Sequence, residues 1–129
     1  TAKSHKIQTI IKQSYVHANK HQLEQVLFNL IDNACKYTQK NGYITITWES
    51  DDKNVYLSIK DNGPGIPDAD QQRIFERFYR VDKSRSRNLG GTGLGLAIVK
   101  HIMINHNGII KLNSKVKEGT EFICAFPKI

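Results

Sequence analysis

A glycine-rich segment in the last third of the chain has the features of a phosphate-binding loop. The stretch NLGGTGLGLAIVK, residues 88–100, holds four glycines within six positions and then becomes apolar. Where such a segment opens a helix, backbone N–H groups and the helix dipole attract an anion, and no Cβ blocks its approach. Basic side chains lie on both sides of it: Arg80, Lys83, Arg85, Arg87 and Lys100. The pattern favours phosphate binding, and a purely structural loop is the alternative.

Two familiar glycine motifs do not account for this segment. A P-loop requires GxxxxGK[ST], and no lysine follows these glycines at that spacing. A dinucleotide-binding fingerprint requires GxGxxG directly after a strand, whereas these glycines follow a basic linker. The segment therefore belongs to neither of these two classes of nucleotide site.

A second cluster, DNGPGIP, begins where an apolar strand ends, at Asp61. An ionised carboxylate at the end of an apolar strand is costly unless it is paired. Because a carboxylate only accepts hydrogen bonds, it suits the exocyclic amine of adenine and repels the carbonyl of guanine. Gly63 and Gly65 would let the backbone approach a flat base. An ordinary turn without a ligand would explain the glycines, but the aspartate favours an adenine pocket. Together with the phosphate-binding loop, this pocket indicates an ATP site.

A third cluster, NLIDNACKYT, places two asparagines on one stripe of a predicted helix. Asn29 and Asn33 are four residues apart and Lys36 follows one turn later, beside the apolar face. Amide oxygens are suitable ligands for Mg²⁺, which keeps water and phosphate oxygens as its other partners. Surface asparagines are the alternative, but asparagine is a poor helix former, so two on one stripe indicate a bound ligand.

Hydrophobic periodicity places these clusters on strands and helices. Apolar residues at spacings of three and four predict a helix from Lys20 to Tyr37, with Asn19 as its N-cap. Further helices are predicted at 68–79 and at 94–106, the second capped by Gly108. Strands are predicted at 7–11, 15–18, 43–50 and 55–61 and in a final hairpin at 108–116 and 119–127. These elements predict an α/β two-layer sandwich, with a mixed β-sheet covered by helices on one face.

Composition sets broader limits. The chain has 129 residues, enough for one compact domain, and a net charge of +7 that favours an anionic partner without choosing among nucleic acid, protein and phosphorylated small molecules. No apolar run approaches the roughly 20 residues of a membrane span, and the first residues, TAKSHKIQ, lack the apolar core of a signal peptide. Cys35 and Cys124 are expected to be buried, reduced thiols, so we expect a cytoplasmic domain.

Taken together, the clusters resemble the four sequence boxes of one ATP-binding family. NLIDNACKYT resembles the N box, DNGPGIP the G1 box, RIFERFYR the F box and GGTGLGLAIVK the G2 box, in the family's order. The chain resembles the catalytic ATP-binding domain of bacterial sensor histidine kinases, most closely the PhoR type. That family shares the GHKL, or Bergerat, fold with DNA gyrase, a heat-shock chaperone and mismatch-repair ATPases. The resemblance implies this α/β (α+β) fold for residues 1–129, with a mobile ATP lid and without the dimerisation domain.

The resemblance also implies roles for individual residues. Asn33 and Asn29 would hold Mg²⁺ against the triphosphate, Lys36 would contact phosphate, and Arg80 would reach the γ-phosphate or the partner domain. The nucleotide-binding residues would be Tyr37, Asp61, Gly63, Gly65, Ile66, Gly91, Thr92, Gly93, Leu94 and Gly95. Phe75 and Phe78 would anchor the lid, at about residues 79–89, although filling the core is the simpler role for such a pair.

Two departures from the family pattern qualify these roles. Related ATPases carry a water-activating glutamate four residues before the metal-binding asparagine, and this chain has Asn29 there. An amide cannot act as a general base, so we expect inefficient ATP hydrolysis. None of the histidines is followed by the acidic residue of a phosphoacceptor site: His5, His17, His21, His101 and His106. They are expected to be structural or surface residues.

The function implied by this resemblance is therefore phosphoryl transfer to another domain, without autophosphorylation of this chain. The domain would bind Mg·ATP and donate the γ-phosphoryl group, in cis or in trans, to a histidine on a dimerisation domain outside this chain. The phosphoryl group would pass to a response regulator receiver domain, and the parent would be a homodimer at the cell membrane. The first alternative is a dimeric ATPase clamp. A basic nucleic-acid-binding module is a weaker alternative, and we expect no nucleic-acid partner.

Overall fold

The computed structural model describes residues 6–12, 16, 18–38, 42–79 and 94–128. Its elements, in chain order, are β1 (Lys6–Ile11), α1 (Lys20–Tyr37), β2 (Tyr43–Ser50), β3 (Asn54–Asp61), α2 (Asp68–Gln71), α3 (Gly95–Asn105), β4 (Ile109–Lys115) and β5 (Gly119–Pro127). Among these described residues, no helix is both long and apolar enough to cross a bilayer.

The strands form one mixed sheet in the order β1-β2-β3-β5-β4. β1 pairs with β2 in parallel, and the other three pairs are antiparallel. Alternate apolar side chains of the sheet form the core with α1 and α3: Val26, Leu30, Ala34, Ile44, Leu57, Ile59, Val99, Ile102, Met103, Phe122, Cys124 and Phe126. The predicted two-layer α/β sandwich, with a mixed sheet and helices on one face, is therefore confirmed.

Helices α1 and α3 lie side by side and run in opposite directions. At one end, the backbone N–H of Asn19 donates to Nε2 of His106 at 3.1 Å. About ten residues further along α1, the side chain of Asn29 lies beside Gly95, the first residue of α3. Nε2 of His106 must be unprotonated to accept, so Nδ1 carries the proton and donates to the carbonyl of Ile102 at 2.8 Å. His106 is thus a structural residue, as predicted.

The caps of both helices agree with the sequence in most respects. The Asn19 side chain accepts from the N–H of Gln22 at 3.0 Å, as expected of an N-cap. At the end of α3, the N–H of Gly108 donates to the carbonyl of Met103 at 2.8 Å. Asn107, at φ 57°, supplies the left-handed conformation of this Schellman arrangement. Gly108 therefore takes part in the predicted cap, although Asn107 makes the turn.

The hairpin between β2 and β3 is fixed by one carboxylate. Asp51 accepts hydrogen bonds from the Tyr56 hydroxyl at 2.7 Å and from the backbone N–H groups of Asn54 and Lys53 at 2.8 and 2.9 Å. The Tyr56 bond, followed by the two backbone bonds, lowers the pKa of Asp51 to about 2. This hairpin lies at the end of β3 opposite Asp61.

Three predictions about local structure are corrected. Of the expected strand at 15–18, Val16 and Ala18 are described and neither belongs to a strand; residues 15 and 17 lie outside the described part. The expected helix at 68–79 is α-helical only over Asp68–Gln71. Beyond it the chain forms successive turns, and Phe78, at φ 66°, takes a left-handed conformation that a helix excludes. Phe78 is also 65% exposed rather than buried.

Both cysteines are buried and form no disulfide within the described residues. Burial raises the pKa of the Cys124 thiol to about 12, so this side chain stays a neutral, inert part of the core. The predicted burial of both thiols is confirmed.

Candidate functional site

The first part of the site lies where α3 begins. A Cβ on Gly95 would meet the Cγ of Asn29 at 3.8 Å, so the two helices are in contact at this level. Because the two helices run in opposite directions, the last two turns of α1 extend past the start of α3. The first N–H groups of this eleven-residue helix have no acceptor within the helix, and its dipole makes this end attractive to an anion.

Asn29 carries an unusual polar group at this position. Its Nδ2 is buried and has no hydrogen-bond partner among the described residues. An unpaired buried donor costs roughly 1–3 kcal/mol, so a native structure rarely keeps one without a reason. An anionic acceptor at the start of α3 would satisfy this amide. The arrangement therefore fits a phosphate group.

Asn33 and Lys36 continue the same stripe towards the end of α1. Asn33 is half-buried. Nζ of Lys36 forms an ion pair with Oδ2 of Asp32 at 3.0 Å, in the i, i+4 arrangement that stabilises helices. Tyr37 is the last residue of α1. The structure thus places Asn29, Asn33 and Lys36 along one side of α1, and it adds Asp32 as a neighbour of the lysine.

Asp61 forms the second part of the site, at the end of β3. It continues the core-facing alternation of Leu57 and Ile59, so its carboxylate faces the helical layer. One oxygen accepts from the N–H of Gly63 at 2.8 Å, and the backbone N–H of Thr120 also donates to the carboxylate. Burial raises the pKa of Asp61, and these two N–H groups oppose the increase. The carboxylate is therefore a partly buried acceptor in a fixed position.

The two parts of the site lie at the same end of the sheet. Only residues 38–42 connect the end of α1 to the start of β2. In β2, Ile44 pairs with Asp61. The end of α1 is therefore close along the chain to the start of β2, which pairs with the end of β3 at Asp61. A single site that holds a base at Asp61 and phosphate at α1 would require this arrangement.

The loop after Asp61 packs against the turn between β4 and β5. Gly65 has φ 77°, and a Cβ there would lie 2.1 Å from the carbonyl oxygen of Lys115. Gly119 has φ 112°, and a Cβ there would lie 2.2 Å from the carbonyl oxygen of Asp61. The N–H of Lys117 donates to the carbonyl of Pro64 at 2.7 Å. Gly65 is thus required by packing, whatever it contributes to a ligand.

Two hydroxyl groups at this contact were not identified from the sequence. Ser114 accepts from the N–H of Ile66 at 2.8 Å, and its Oγ lies 2.9 Å from Oγ1 of Thr120. Both side chains take positions that the apolar alternation of β4 and β5 assigns to the core, after Leu112 and before Phe122. A polar residue that interrupts this alternation on two neighbouring strands is the signal that could have found them.

The F-box region is only partly as predicted. Phe75 packs edge-on against Phe122, with ring centroids 6.1 Å apart, and Nζ of Lys100 lies 5.8 Å from the centre of its ring. Phe75 therefore fixes this segment to the core, whereas Phe78 does not. The hydroxyl of Tyr79 donates to Asp70. Arg80, Gly91, Thr92, Gly93 and the residues of the expected lid after Tyr79 lie outside the described residues.

Among the remaining site predictions, Ile66 packs partly buried against the core and Leu94 is the N-cap of α3. His21 and His101 are exposed, which agrees with the expected surface role. His5 and His17 lie outside the described residues.

Comparison with known proteins gives a consistent result. The sequence profile of a family described as histidine kinase-, DNA gyrase B- and HSP90-like ATPase matches residues 18–129. The phosphate regulon sensor protein PhoR of Pseudomonas aeruginosa is 46% identical over 105 residues, covering 81% of this chain and 24% of that protein. The histidine-protein kinase ArlS of Staphylococcus epidermidis is also 46% identical, over 109 residues, covering 84% of this chain and 24% of that protein.

A solved structure supports the same relationship. The mycobacterial sensor histidine kinase MprB superposes with a TM-score of 0.84 at 28% sequence identity, covering 96% of this chain and 82% of that chain. The chain spans only about a quarter of the length of the two sequence relatives, so these share with it one domain of a longer protein.

Proposed function

We propose a function from the premise that this chain belongs to the family of histidine kinase-, DNA gyrase B- and HSP90-like ATPases and is the ATPase domain of a two-component sensor histidine kinase. The domain binds Mg·ATP between Asp61 and the start of α3. The γ-phosphoryl group then passes to a histidine of the parent's dimerisation domain. One observation carries the assignment of the site: the side chain of Asn29 lies beside the first residue of α3, and its buried Nδ2 has no hydrogen-bond partner among the described residues.

Asp61 is the residue that selects the base. Its oxygens accept from Gly63 and Thr120 and point into the helical layer, so a remaining lone pair accepts from the exocyclic amine of adenine. A guanine would present a carbonyl to the same oxygen and be repelled. Ile66, Leu94 and Tyr37 complete the apolar surround of the base, and Gly63 and Gly65 shape the loop beneath it.

The phosphate end is formed by α1, by the start of α3 and by the glycine segment before it. Asn29 and Asn33 hold Mg²⁺ through their amide oxygens, and Lys36 contacts a phosphate oxygen. Gly91, Thr92, Gly93 and Gly95 present backbone N–H groups to the other oxygens, and Arg80 reaches the γ-phosphate or the acceptor domain. Bound Mg²⁺ neutralises triphosphate charge and makes the γ-phosphorus a better electrophile.

The transfer needs positioning more than proton removal. A neutral imidazole nitrogen of the acceptor histidine forms the bond to the γ-phosphorus while the bond to the bridging β–γ oxygen breaks and ADP leaves. No water has to be activated, so an amide at Asn29 is compatible with this reaction and unfavourable for hydrolysis. A response regulator aspartate then accepts the phosphoryl group. We place the domain on the cytoplasmic side of a homodimeric parent at the cell membrane.

We expect magnesium to strengthen ATP binding about tenfold in the native chain and less than about twofold in Asn33→Ala, since roughly 1.4 kcal/mol of metal-mediated attraction is lost. Titration calorimetry with ATP in excess MgCl₂ and in excess EDTA measures both constants. ATP affinity in EDTA should be unchanged by the substitution. Asn105→Ala, at an exposed asparagine at the far end of α3, is the matched control. A full magnesium effect in Asn33→Ala would assign the metal to other ligands.

We expect no incorporation of label when the chain alone is incubated with γ-labelled Mg·ATP, because none of its histidines is a phosphoacceptor. Adding the dimerisation domain of the parent should restore labelling, on that domain. Label that appears on the isolated chain, and that is lost when one of its own histidines is replaced, would contradict the proposal. Rapid release of inorganic phosphate instead would favour an ATPase clamp.

A further inference from the structure

The hydroxyl group of Ser114 makes every hydrogen bond available to it. Oγ accepts from the N–H of Ile66 at 2.8 Å and donates to the carbonyl of Gly119 at 2.9 Å. A hydroxyl has one proton, so the contact of 2.9 Å with Thr120 must be a bond donated by Oγ1 of Thr120. The side chain is half-buried on the core side of β4. Its orientation is therefore fixed by three partners in two different segments.

These two segments are the ones that hold Asp61. Thr120 donates its backbone N–H to the Asp61 carboxylate, and the loop that contains Ile66 donates the N–H of Gly63. The backbone of Ser114 is held as well, because Nε2 of Gln71 donates to the carbonyls of both Ser114 and Ile66, at 3.1 and 2.9 Å. Ser114 thus joins the two sources of N–H groups that orient the carboxylate.

We propose that Ser114 is a positioning residue for adenine recognition, which acts by fixing the direction of the Asp61 carboxylate. The inference rests on the proposed function, since it assumes that Asp61 contacts the adenine amine. Ser114 itself makes no contact with the nucleotide. Its hydroxyl fixes the spacing between Ile66 and Gly119, and thereby the two backbone donors that hold Asp61.

Removing this hydroxyl should have a selective effect. The N–H of Ile66 and the carbonyl of Gly119 would lose their partner, and the loop and the turn could separate to let water in. The carboxylate would then lose its fixed direction, and only contacts made through it would weaken. Phosphate and ribose contacts lie elsewhere and should be retained.

The test compares ATP with purine riboside triphosphate, which lacks the exocyclic amine. In the native chain we expect ATP to bind about tenfold more tightly than the analogue, the value of one hydrogen bond to a charged group. In Ser114→Ala this ratio should fall to about twofold, through weaker ATP binding and unchanged analogue binding. Ser114→Cys, which keeps a weak donor and acceptor in a slightly larger side chain, should give an intermediate ratio and serves if the alanine variant does not fold.

The matched control is Ser58→Ala. Ser58 is also a partly buried strand hydroxyl, bonded to Glu121 at 2.6 Å, but on the opposite face of the sheet. It should keep the tenfold ratio. If the Ser114 variants weaken ATP and analogue equally, or keep the ratio, the positioning role is wrong while the proposed function stands. If the native chain itself does not distinguish the two nucleotides, the assignment of Asp61 in the proposed function is wrong.

Discussion

Replacing Asp61 with alanine should weaken ATP binding about 100-fold, the largest effect on affinity that we expect from one side chain. The substitution removes the charge-assisted bond to the adenine amine, about 1.5 kcal/mol, and also leaves the N–H groups of Gly63 and Thr120 without their acceptor beside the base, about 1 kcal/mol more. The fold should persist, because burial already disfavours the charged form of this carboxyl and raises its pKa. Titration calorimetry gives the affinity, and a thermal unfolding curve of the same sample checks the fold.

Asparagine at this position should not rescue binding. The native carboxylate faces the N–H groups of Gly63 and Thr120 and, in the complex, the adenine amine, so three donors meet acceptor oxygens only. Asp61→Asn would replace one oxygen with a further donor. Asp51→Ala is the control, since Asp51 also accepts several bonds but lies in the hairpin at the other end of β3. Native affinity in Asp61→Ala would exclude the base-recognition role.

Replacing Gly119 with alanine should destabilise the chain by about 3 kcal/mol, the largest effect on folding that we expect. Its φ of 112° is unfavourable for any side chain, and the new Cβ would lie 2.2 Å from the carbonyl oxygen of Asp61. Backbone strain and overpacking each cost roughly 1–3 kcal/mol. For 129 residues this corresponds to a decrease in Tm of about 10 °C, measured by circular dichroism or calorimetry.

Gly95→Ala is the matched glycine control for stability. A Cβ on Gly95 would find its nearest neighbour at 3.8 Å, an ordinary contact, and alanine favours a helix more than glycine does. Its Tm should be unchanged or slightly higher. If Gly119→Ala retained the native Tm, the close packing of the β4–β5 turn against Asp61 would not exist in solution.

The sequence predicts correctly those helices and strands in which a regular apolar pattern is bounded by cap or turn residues. α1 was predicted from Lys20 to Tyr37 because a long amphipathic pattern follows a good N-cap residue, and β2 has the predicted bounds because turn residues enclose an alternating run. The segment after Asp68 was mispredicted because its apolar residues have helical spacing but its backbone is set by contacts with the core. Phe75 is fixed against Phe122, and the left-handed Phe78 ends any helix.

The residues of the candidate site also divide into those that local sequence indicates and those that depend on distant contacts. Asn29, Asn33 and Asp61 are proposed from the sequence because each is a polar residue in an apolar context, which the sequence displays directly. Ser114 and Gly119 were missed because their importance arises from contacts with residues about 50 positions away, the loop at Pro64–Ile66 and the end of β3. No periodicity or propensity encodes a contact of that kind.

The bond between Asn19 and His106 ties the last turn of α3 to the start of α1. The helix is eleven residues long, or about 16 Å, and its first residue, Gly95, lies beside Asn29, where we propose that phosphate binds. A tilt of about 4° around the end at His106 would move Gly95 by about 1 Å. The proposed nucleotide contacts at Gly95 would thus be sensitive to rotations too small to disturb the packing of Ile102 and Met103 near His106.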